Sequence, residues 1–306
     1  MLTTEALKAK INSVQDLQSV VKTMKALAAV SIRQYEKAVE SLADYNRTVE
    51  MGLQIVLRQR YFSGQDTLPT SVMEAIPGSN SRLGVIIFGS DQGLCGQFNE
   101  QIVSYAIDQL EQFQIKPENL MLAAVGARVI APLENRRQNI AARFSVPNSV
   151  TEITSRVQEI LLAIEQWQEQ QQIAKIVLFY NQPRSGASYQ SHTLQLLPLD
   201  PNWLHHLVQQ EWSTQVLPTF TMNWQQIFSA LIHQYLFVSL YRAFAESLAS
   251  ENASRLSSMQ AAQKNIEERL SDLNAQYRHQ RQSSITQELL DIVVGFEALT
   301  DKSGSN

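Results

Sequence analysis

The stretch "INSVQDLQSVVKTMKALAAVSIRQYEKA" (Ile11–Ala38) decides how this chain folds. It holds no glycine or proline, and neither residue occurs from Met1 to Met51. Apolar or small residues recur in steps of three and four: Leu7, Ile11, Val14, Leu17, Val21, Met24, Ala28, Ile32, Tyr35, Val39, Leu42, Val49, Leu53 and Val56. Such steps keep one face of a helix apolar, and their mean lies close to the heptad spacing of a coiled coil. At about 1.5 Å per residue the helix would run roughly 80 Å. A stripe of that length needs a partner to bury it.

The other end of the chain offers one. After Pro218 no proline follows, and no glycine until Gly295. A second seam reads Ile227, Leu231, Val238, Tyr241, Ala245, Leu248, Leu256, Met259, Ile266, Leu270, Leu273, Tyr277, Ile285, Leu289, Ile292, Phe296 and Leu299. By the same rise it would extend roughly 110 Å. Helices much beyond about 25 residues imply a coiled coil, a membrane span or a helical array. The most apolar long window, Ser229–Ser250, carries His233, Arg242 and Glu246, which argues against a span. No internal repeat marks an array. The two ends are therefore expected to pair, antiparallel because the middle returns the chain to its start. Asn252 and the Gln280–Arg281 step interrupt the second seam, and polar seam positions set register at a cost in stability. The stretches "RLSSMQAAQKN" and "RHQRQSSITQE" leave the far end polar most of the way round, which calls for an outside partner.

Between the helices the pattern changes. "YFSGQDTLPTSVMEAIPGSNSR" (Tyr61–Arg82) is rich in turn formers and reads as a mobile connection. "LGVIIF", "NLMLAAVG", "IAARFSV", "KIVLFYNQ" and "SYQSHTLQLLPL" read as strands. "FNEQIVSYAIDQLEQF", the short "ARVIAPLEN" with Pro132, and "SVTEITSRVQEILLAIEQWQEQ" read as helices, the last capped by Ser149 or Thr151. Alternating strands and helices imply a mostly parallel sheet. The expected fold is α/β plus a long antiparallel coiled coil, with terminal helices paired around a central Rossmann-like α/β domain. Its divisions are a helix over 1–60, a linker over 61–82, the α/β domain over 83–200, a connection over 201–221, a helix over 222–300 and a tail over 301–306.

Composition excludes several classes. The 306 residues carry a net charge of −4, against a general nucleic-acid binder. The first 60 residues are locally basic, with Lys8, Lys10, Lys22, Lys25, Arg33, Lys37, Arg47, Arg58 and Arg60 against six acids. That stripe reads as a solvated helix face. Cys95 is the one cysteine, so no disulfide within the chain forms, in keeping with a reducing compartment. "MLTTEALKAK" has no apolar signal core, and a soluble protein is expected.

"GSDQGLCGQFNE" (Gly89–Glu100) sits between strand and helix, where nucleotide sites are built. No lysine follows the glycines, and Gly89, Gly93 and Gly96 are spaced four and three apart, so both phosphate-binding patterns fail. Glycines that permit positive φ, with Asp91 bonding turn amides, account for the loop. Cys95 has no basic neighbour in sequence and reads as a packed thiol. His192, His205, His206, His233 and His279 show no metal spacing. No nucleophile elbow occurs. No catalytic residue, cofactor site or metal site is expected.

The N-terminal stretch quoted first, the loop "SDQGLCGQFN", and the C-terminal "LASENASRLSSMQAAQKN" with "RQSSITQELLDIVVGFEAL" together resemble the gamma subunit of F-type ATP synthases. The resemblance implies a central-stalk rotor with no active site, transmitting torque between a membrane ion-driven ring and a catalytic head. It implies the alpha and beta subunits of the head, the epsilon subunit and the membrane c-ring as partners, with no nucleic acid and no membrane insertion. It also implies a peripheral place at the cytoplasmic face of a bacterial inner membrane, or at a thylakoid. Met24 and Lys25 lie in "KTMKALAA", which resembles the segment that meets the catalytic subunits. Arg255 in "ASENASRL" resembles an arginine that contacts the same ring, and Gln282, Thr286 and Glu288 in "RQSSITQE" resemble polar contacts to a catalytic-subunit loop. Charged and amide groups suit a contact that breaks and re-forms each turn.

Two features depart from the family. "KAKINSVQD" stands where an arginine-rich run is common, and no second cysteine supplies the chloroplast redox switch. The stretch Leu42–Phe62 looks more like an alternate, sodium-type branch. Two other readings stay open here: an α/β nucleotide-binding enzyme and a non-rotary coiled-coil adaptor.

Overall fold

A computed structural model describes residues 3–62, 82–113, 115–184, 188–212 and 218–303. Most of the expected linker, 63–81, lies outside these residues, as do 304–306 of the tail and the seam side chains of Phe296 and Leu299. The elements are α1 (Thr4–Phe62), β1 (Arg82–Phe88), α2 (Phe98–Gln112), β2 (Leu120–Val125), α3 (Ile130–Asn135), β3 (Ile140–Phe144), α4 (Val150–Gln171), β4 (Ile173–Pro183), β5 (Tyr189–Leu197), α5 (Pro201–Gln209) and α6 (Trp224–Ser303). Their contacts separate into two compact units, one from residues 28–256 and one from the described residues of 1–27 and 257–306.

The larger unit is built on a five-stranded sheet in the order β3-β2-β1-β4-β5. β1 to β4 run parallel, and β5 is antiparallel to β4. Leu83 to Phe88 are all buried because both faces of a parallel sheet are covered. Val85 and Ile87 point into a cluster with Ile102, Val103 and Ala106 of α2 and Leu133 of α3. Ile86 and Phe88 point the other way, into the larger cluster with α4, α5 and the inner halves of the two long helices. There Phe88 meets Phe244 of α6 edge to face at 4.9 Å. Pro132 sits in the first turns of α3, where a missing N–H is tolerated. Ser149 holds the N-cap position of α4, but its hydroxyl pairs with Thr151 Oγ1 at 2.8 Å instead of capping an amide. The side chain of Glu152 instead reaches back and accepts from Asn148 N at 3.0 Å.

Within this unit the long helices pair antiparallel. Trp224 Nε1 donates to the Val56 carbonyl at 3.0 Å, and Tyr45 Oη to Gln234 Oε1 at 2.7 Å. Arg58 Nε donates to Val208 O at 2.8 Å and holds α5 against α1. In the smaller unit the pairing is antiparallel too. Lys25 Nζ donates to Gln263 Oε1 at 2.8 Å, and Leu7 and Ile11 pack with Leu273.

The seam on α1 follows a stricter comb than the apolar residues suggest. Positions 7, 11, 14, 18, 21, 25, 28, 32, 35, 39, 42, 46, 49, 53 and 56 are all buried or half-buried. Gln18, Lys25 and Asn46 therefore occupy seam positions, whereas Leu17, expected in the seam, is 56% exposed. On α6 the comb runs Met259, Gln263, Ile266, Leu270, Leu273, Tyr277, Gln280 and Ser284. The expected continuation through Ile285, Leu289 and Ile292 is corrected, since these are 47%, 59% and 67% exposed. A one-residue shift turns a side chain by about 100° around a helix. The apolar residue nearest the expected spacing therefore points away from the partner, and a polar one takes the seam.

Candidate functional site

The glycine loop follows β1 and is closed in on itself. Gly89 lies where an added Cβ would fall 2.1 Å from Val129 Cγ1, so only glycine allows that approach. Its amide donates to Val125 O at 2.8 Å. The next amide, of Ser90, donates to Asn99 Oδ1 at 2.9 Å, and Asn99 Nδ2 donates back to Ser90 Oγ at 2.9 Å. Leu94 and Gly96 both take left-handed backbone, φ 64° and 58°. Asp91 reaches beyond its own turn. Its Oδ1 accepts from Ala127 N at 2.7 Å and its Oδ2 from Val146 N at 2.8 Å, tying together the segments that leave β2 and β3.

This geometry is the reverse of a phosphate cradle. A cradle presents free amides and a positive field at a helix start. Here a carboxylate sits at the centre, and the amides of Gly89 and Ser90 are already bonded. Cys95 is buried, with Asn99 Nδ2 at 3.5 Å and Ser90 Oγ at 3.6 Å from its sulfur. Among the described residues no three His, Cys, Asp or Glu side chains gather as a metal site would require.

What the loop holds is helix α6. Every residue from Ala243 to Arg255 is buried, because alanines and serines let the helix pass close to its neighbours on all sides. Ser254 Oγ donates to the Cys95 carbonyl at 2.6 Å. One turn earlier, Ser250 Oγ lies 3.0 Å from Asn181 O and 2.8 Å from Glu246 O. Asn181 itself is fully buried, donating to Phe98 O at 3.4 Å and accepting from Ser191 Oγ at 2.9 Å.

Glu246, Glu251 and Arg255 are buried charges on the same stretch, and Glu246 pairs with Arg242, which is exposed just before it. Arg242 Nε donates to Glu246 Oε1 at 2.7 Å, which raises the guanidinium pKa further. Burial, and then the neighbouring Glu246, push the Tyr180 phenol well above its ordinary range. Arg255 Nη2 pairs with Glu251, and Arg255 Nη1 donates to Asn252 Oδ1 at 3.0 Å. Burial raises the Glu251 carboxyl although Arg255 opposes it.

The six residues singled out in the sequence are divided between the two units. Met24 and Lys25 are half-buried, and Lys25 is held by Gln263. Gln282, Thr286 and Glu288 are exposed, with Thr286 Oγ1 donating to Gln282 O at 2.9 Å. Arg255 belongs to the larger unit, is 7% exposed, and spends its guanidinium on its own helix. Sequence reasoning overlooked Ser250, Ser254, Asn181 and the reach of Asp91. The density of small residues in "LASENAS" was the signal for the two serines, since it marks a helix that others approach closely.

Comparison with known proteins identifies the family. A family model described as ATP synthase matches residues 3–299. The ATP synthase gamma chain of Nostoc punctiforme is 28% identical over 328 residues, covering 98% of this chain and 100% of that one. The gamma chain of Nautilia profundicola is 25% identical over 306 residues, covering 98% and 99%. Among solved structures, a chain of the Euglena gracilis mitochondrial ATP synthase assembly containing OSCP, F1 and c-ring superposes with a TM-score of 0.60 at 16% identity, covering 99% of this chain and 96% of that one. A chain of the Tetrahymena thermophila mitochondrial ATP synthase central stalk and c-ring gives 0.54 at 19% identity, covering 79% and 99%. These two likenesses concern the fold alone, whereas the match over nearly the whole sequence settles kinship: the chain belongs to the ATP synthase family, as a gamma chain, the non-catalytic rotor subunit of the central stalk.

Proposed function

We propose that this chain carries torque between a head of alpha and beta subunits and a base formed with the epsilon subunit and membrane c-ring, as a peripheral subunit at the cytoplasmic face of a bacterial inner membrane. One observation carries the reading. The smaller unit has apolar surface that its own helix pair does not cover. Ile285, Leu289 and Ile292 of α6 are exposed, and so are Leu17, Val20 and Leu27 of α1. Uncovered apolar residues at helical spacing are what a surrounding partner would bury. The polar groups beside them, Gln282, Thr286 and Glu288, are exposed and suited to directional contacts that can break each turn. Met24 is half-buried beside the α1 stripe and is proposed to meet the same ring. Lys25 is proposed to do so by exchanging its bond to Gln263 for one to the partner. Arg255 is proposed to act on the ring only from its exposed edge, its main bonds being internal. Among the described residues no helix is long and apolar enough to cross a membrane.

The test is a reversible lock. A Thr286→Cys chain is assembled with catalytic subunits that carry a cysteine in the facing loop. The disulfide is expected to form, to stop coupled turnover, and to release it on reduction. Failure of the two thiols to meet, or unchanged turnover in the oxidised complex, would rule the contact out.

A further inference from the structure

A rotor helix embedded in its base must not turn about its own axis, or torque is lost as slip. The stretch of α6 from Ala243 to Arg255 meets that demand with two large apolar side chains, Phe244 and Leu248, while Ala243, Ala245, Ala249 and Ala253 leave the rest of its apolar surface shallow. Directional bonds oppose rotation, because a hydrogen bond weakens steeply as its donor swings out of line.

Two such bonds stand one turn apart on one face of the helix. Ser254 Oγ meets Cys95 O at 2.6 Å, and Ser250 Oγ, whose one hydrogen is shared with Glu246 O of its own helix at 2.8 Å, meets Asn181 O at 3.0 Å. Their acceptors belong to neighbouring strands of the sheet, one in the loop that leaves β1 and the other on β4. Both acceptors are themselves braced. The Cys95 turn is held by Asn99, and its loop by Asp91. Asn181 is tied to Phe98 and Ser191.

We infer that Ser250 and Ser254 are positioning residues that key α6 to the sheet, the glycine loop being the slot in which the key sits. The inference rests on the rotor role and names the part of the larger unit that takes up torque from the helix.

The test compares Ser254→Thr, which keeps the hydroxyl, with Ser254→Val, which has nearly the same volume and lacks it. Each is placed in the complete ATP synthase, reconstituted in vesicles. Assembly, ATP hydrolysis in the presence of an ionophore, and ions moved per ATP are measured. The Val complex is expected to assemble and to hydrolyse ATP within about twofold of wild type, yet to move at most half as many ions per ATP. The Thr complex is expected to keep the wild-type ratio. Ser250→Ala, which only removes atoms, is expected to lower the ratio in the same direction. Equal ratios for Val and Thr would overturn the inference. So would a Val chain that fails to assemble where Thr assembles, since the hydroxyl would then serve folding alone. Failure of both Ser254 variants to assemble, with a wild-type ratio for Ser250→Ala, would overturn it as well. A wild-type chain that assembled but moved no ions would instead count against the rotor role itself.

Discussion

At the scale of single residues, the loop after β1 shows how one sequence feature serves two opposite chemistries. Glycines after a strand can open backbone amides to an anion, or they can let chains approach closely. Here the second holds. Gly126 has φ 98°, and a Cβ there would lie 2.8 Å from the backbone nitrogen and oxygen of Ser90. Its amide donates to Phe144 O at 2.8 Å, next to the amides of Ala127 and Val146 that Asp91 collects. Gly126→Ala would force both a disfavoured backbone region and a clash with main chain, costing about 1–3 kcal/mol. Chemical denaturation of the full chain should show this loss. A midpoint shift no larger than that of an exposed control such as Ala26→Ser would mean the loop yields easily and the close approach does not matter.

At the scale of the element, α1 separates hydrophobicity from position. Leu17 and Gln18 are adjacent, and the heptad comb gives the seam to Gln18. Gln18→Leu should place an apolar side chain against α6 and stabilise the smaller unit by about 1 kcal/mol. Leu17→Gln should leave the isolated chain almost unchanged, because Leu17 faces away from the pair. Thermal unfolding of the two variants is expected to rank them in that order. A larger effect from Leu17→Gln would return the seam to the position that apolarity alone suggests. α6 makes a related point over its length. Its inner stretch is buried on all sides through small residues, while beyond Tyr277 the seam positions Gln280 and Ser284 are polar and the apolar residues Ile285, Leu289 and Ile292 face out. One continuous helix therefore changes what it binds by rotating its apolar face past the seam.

At the scale of the whole molecule, the two units differ in what holds them. The larger has two extensive apolar clusters on opposite faces of the sheet. The smaller has a cluster of Leu7, Ile11 and Leu273, flanked by Val14, Leu270 and Tyr277. The larger unit also concentrates buried and half-buried phenols. Tyr35, Tyr180, Tyr189, Tyr235 and Tyr241 are all raised above the ordinary tyrosine value of 10.0, in each case mainly by burial. A folded-state pKa above the unfolded one contributes stability that is complete below the unfolded value and is lost as pH rises through the folded value. The full chain should thus hold its stability up to about pH 10 and lose it steeply above, as several phenols ionise together on unfolding. Tyr180→Phe should make that loss less steep. A denaturation midpoint that declines with the same slope in wild type and variant above pH 10 would show that Tyr180 does not take part.

The sequence by itself determined the two long helices, their antiparallel pairing, the five strands and first three helices between them, and the absence of a phosphate-binding pattern, whereas α5 (Pro201–Gln209) formed inside a stretch read as a connection. These follow from local rules: glycine and proline are missing where a helix must not break, apolar periods of 3.5 and short β-branched runs are visible along the chain, and motif spacings can be counted. Only the tertiary structure decided which side chains occupy the seam, since a single residue rotates the face by about 100°. It also decided that Asp91 joins three loops, that Ser250 and Ser254 meet carbonyls distant in sequence, and that Arg255 turns inward. A hydrogen bond between groups far apart along the chain depends on where the backbone has already been placed, and a residue's type carries no record of that placement.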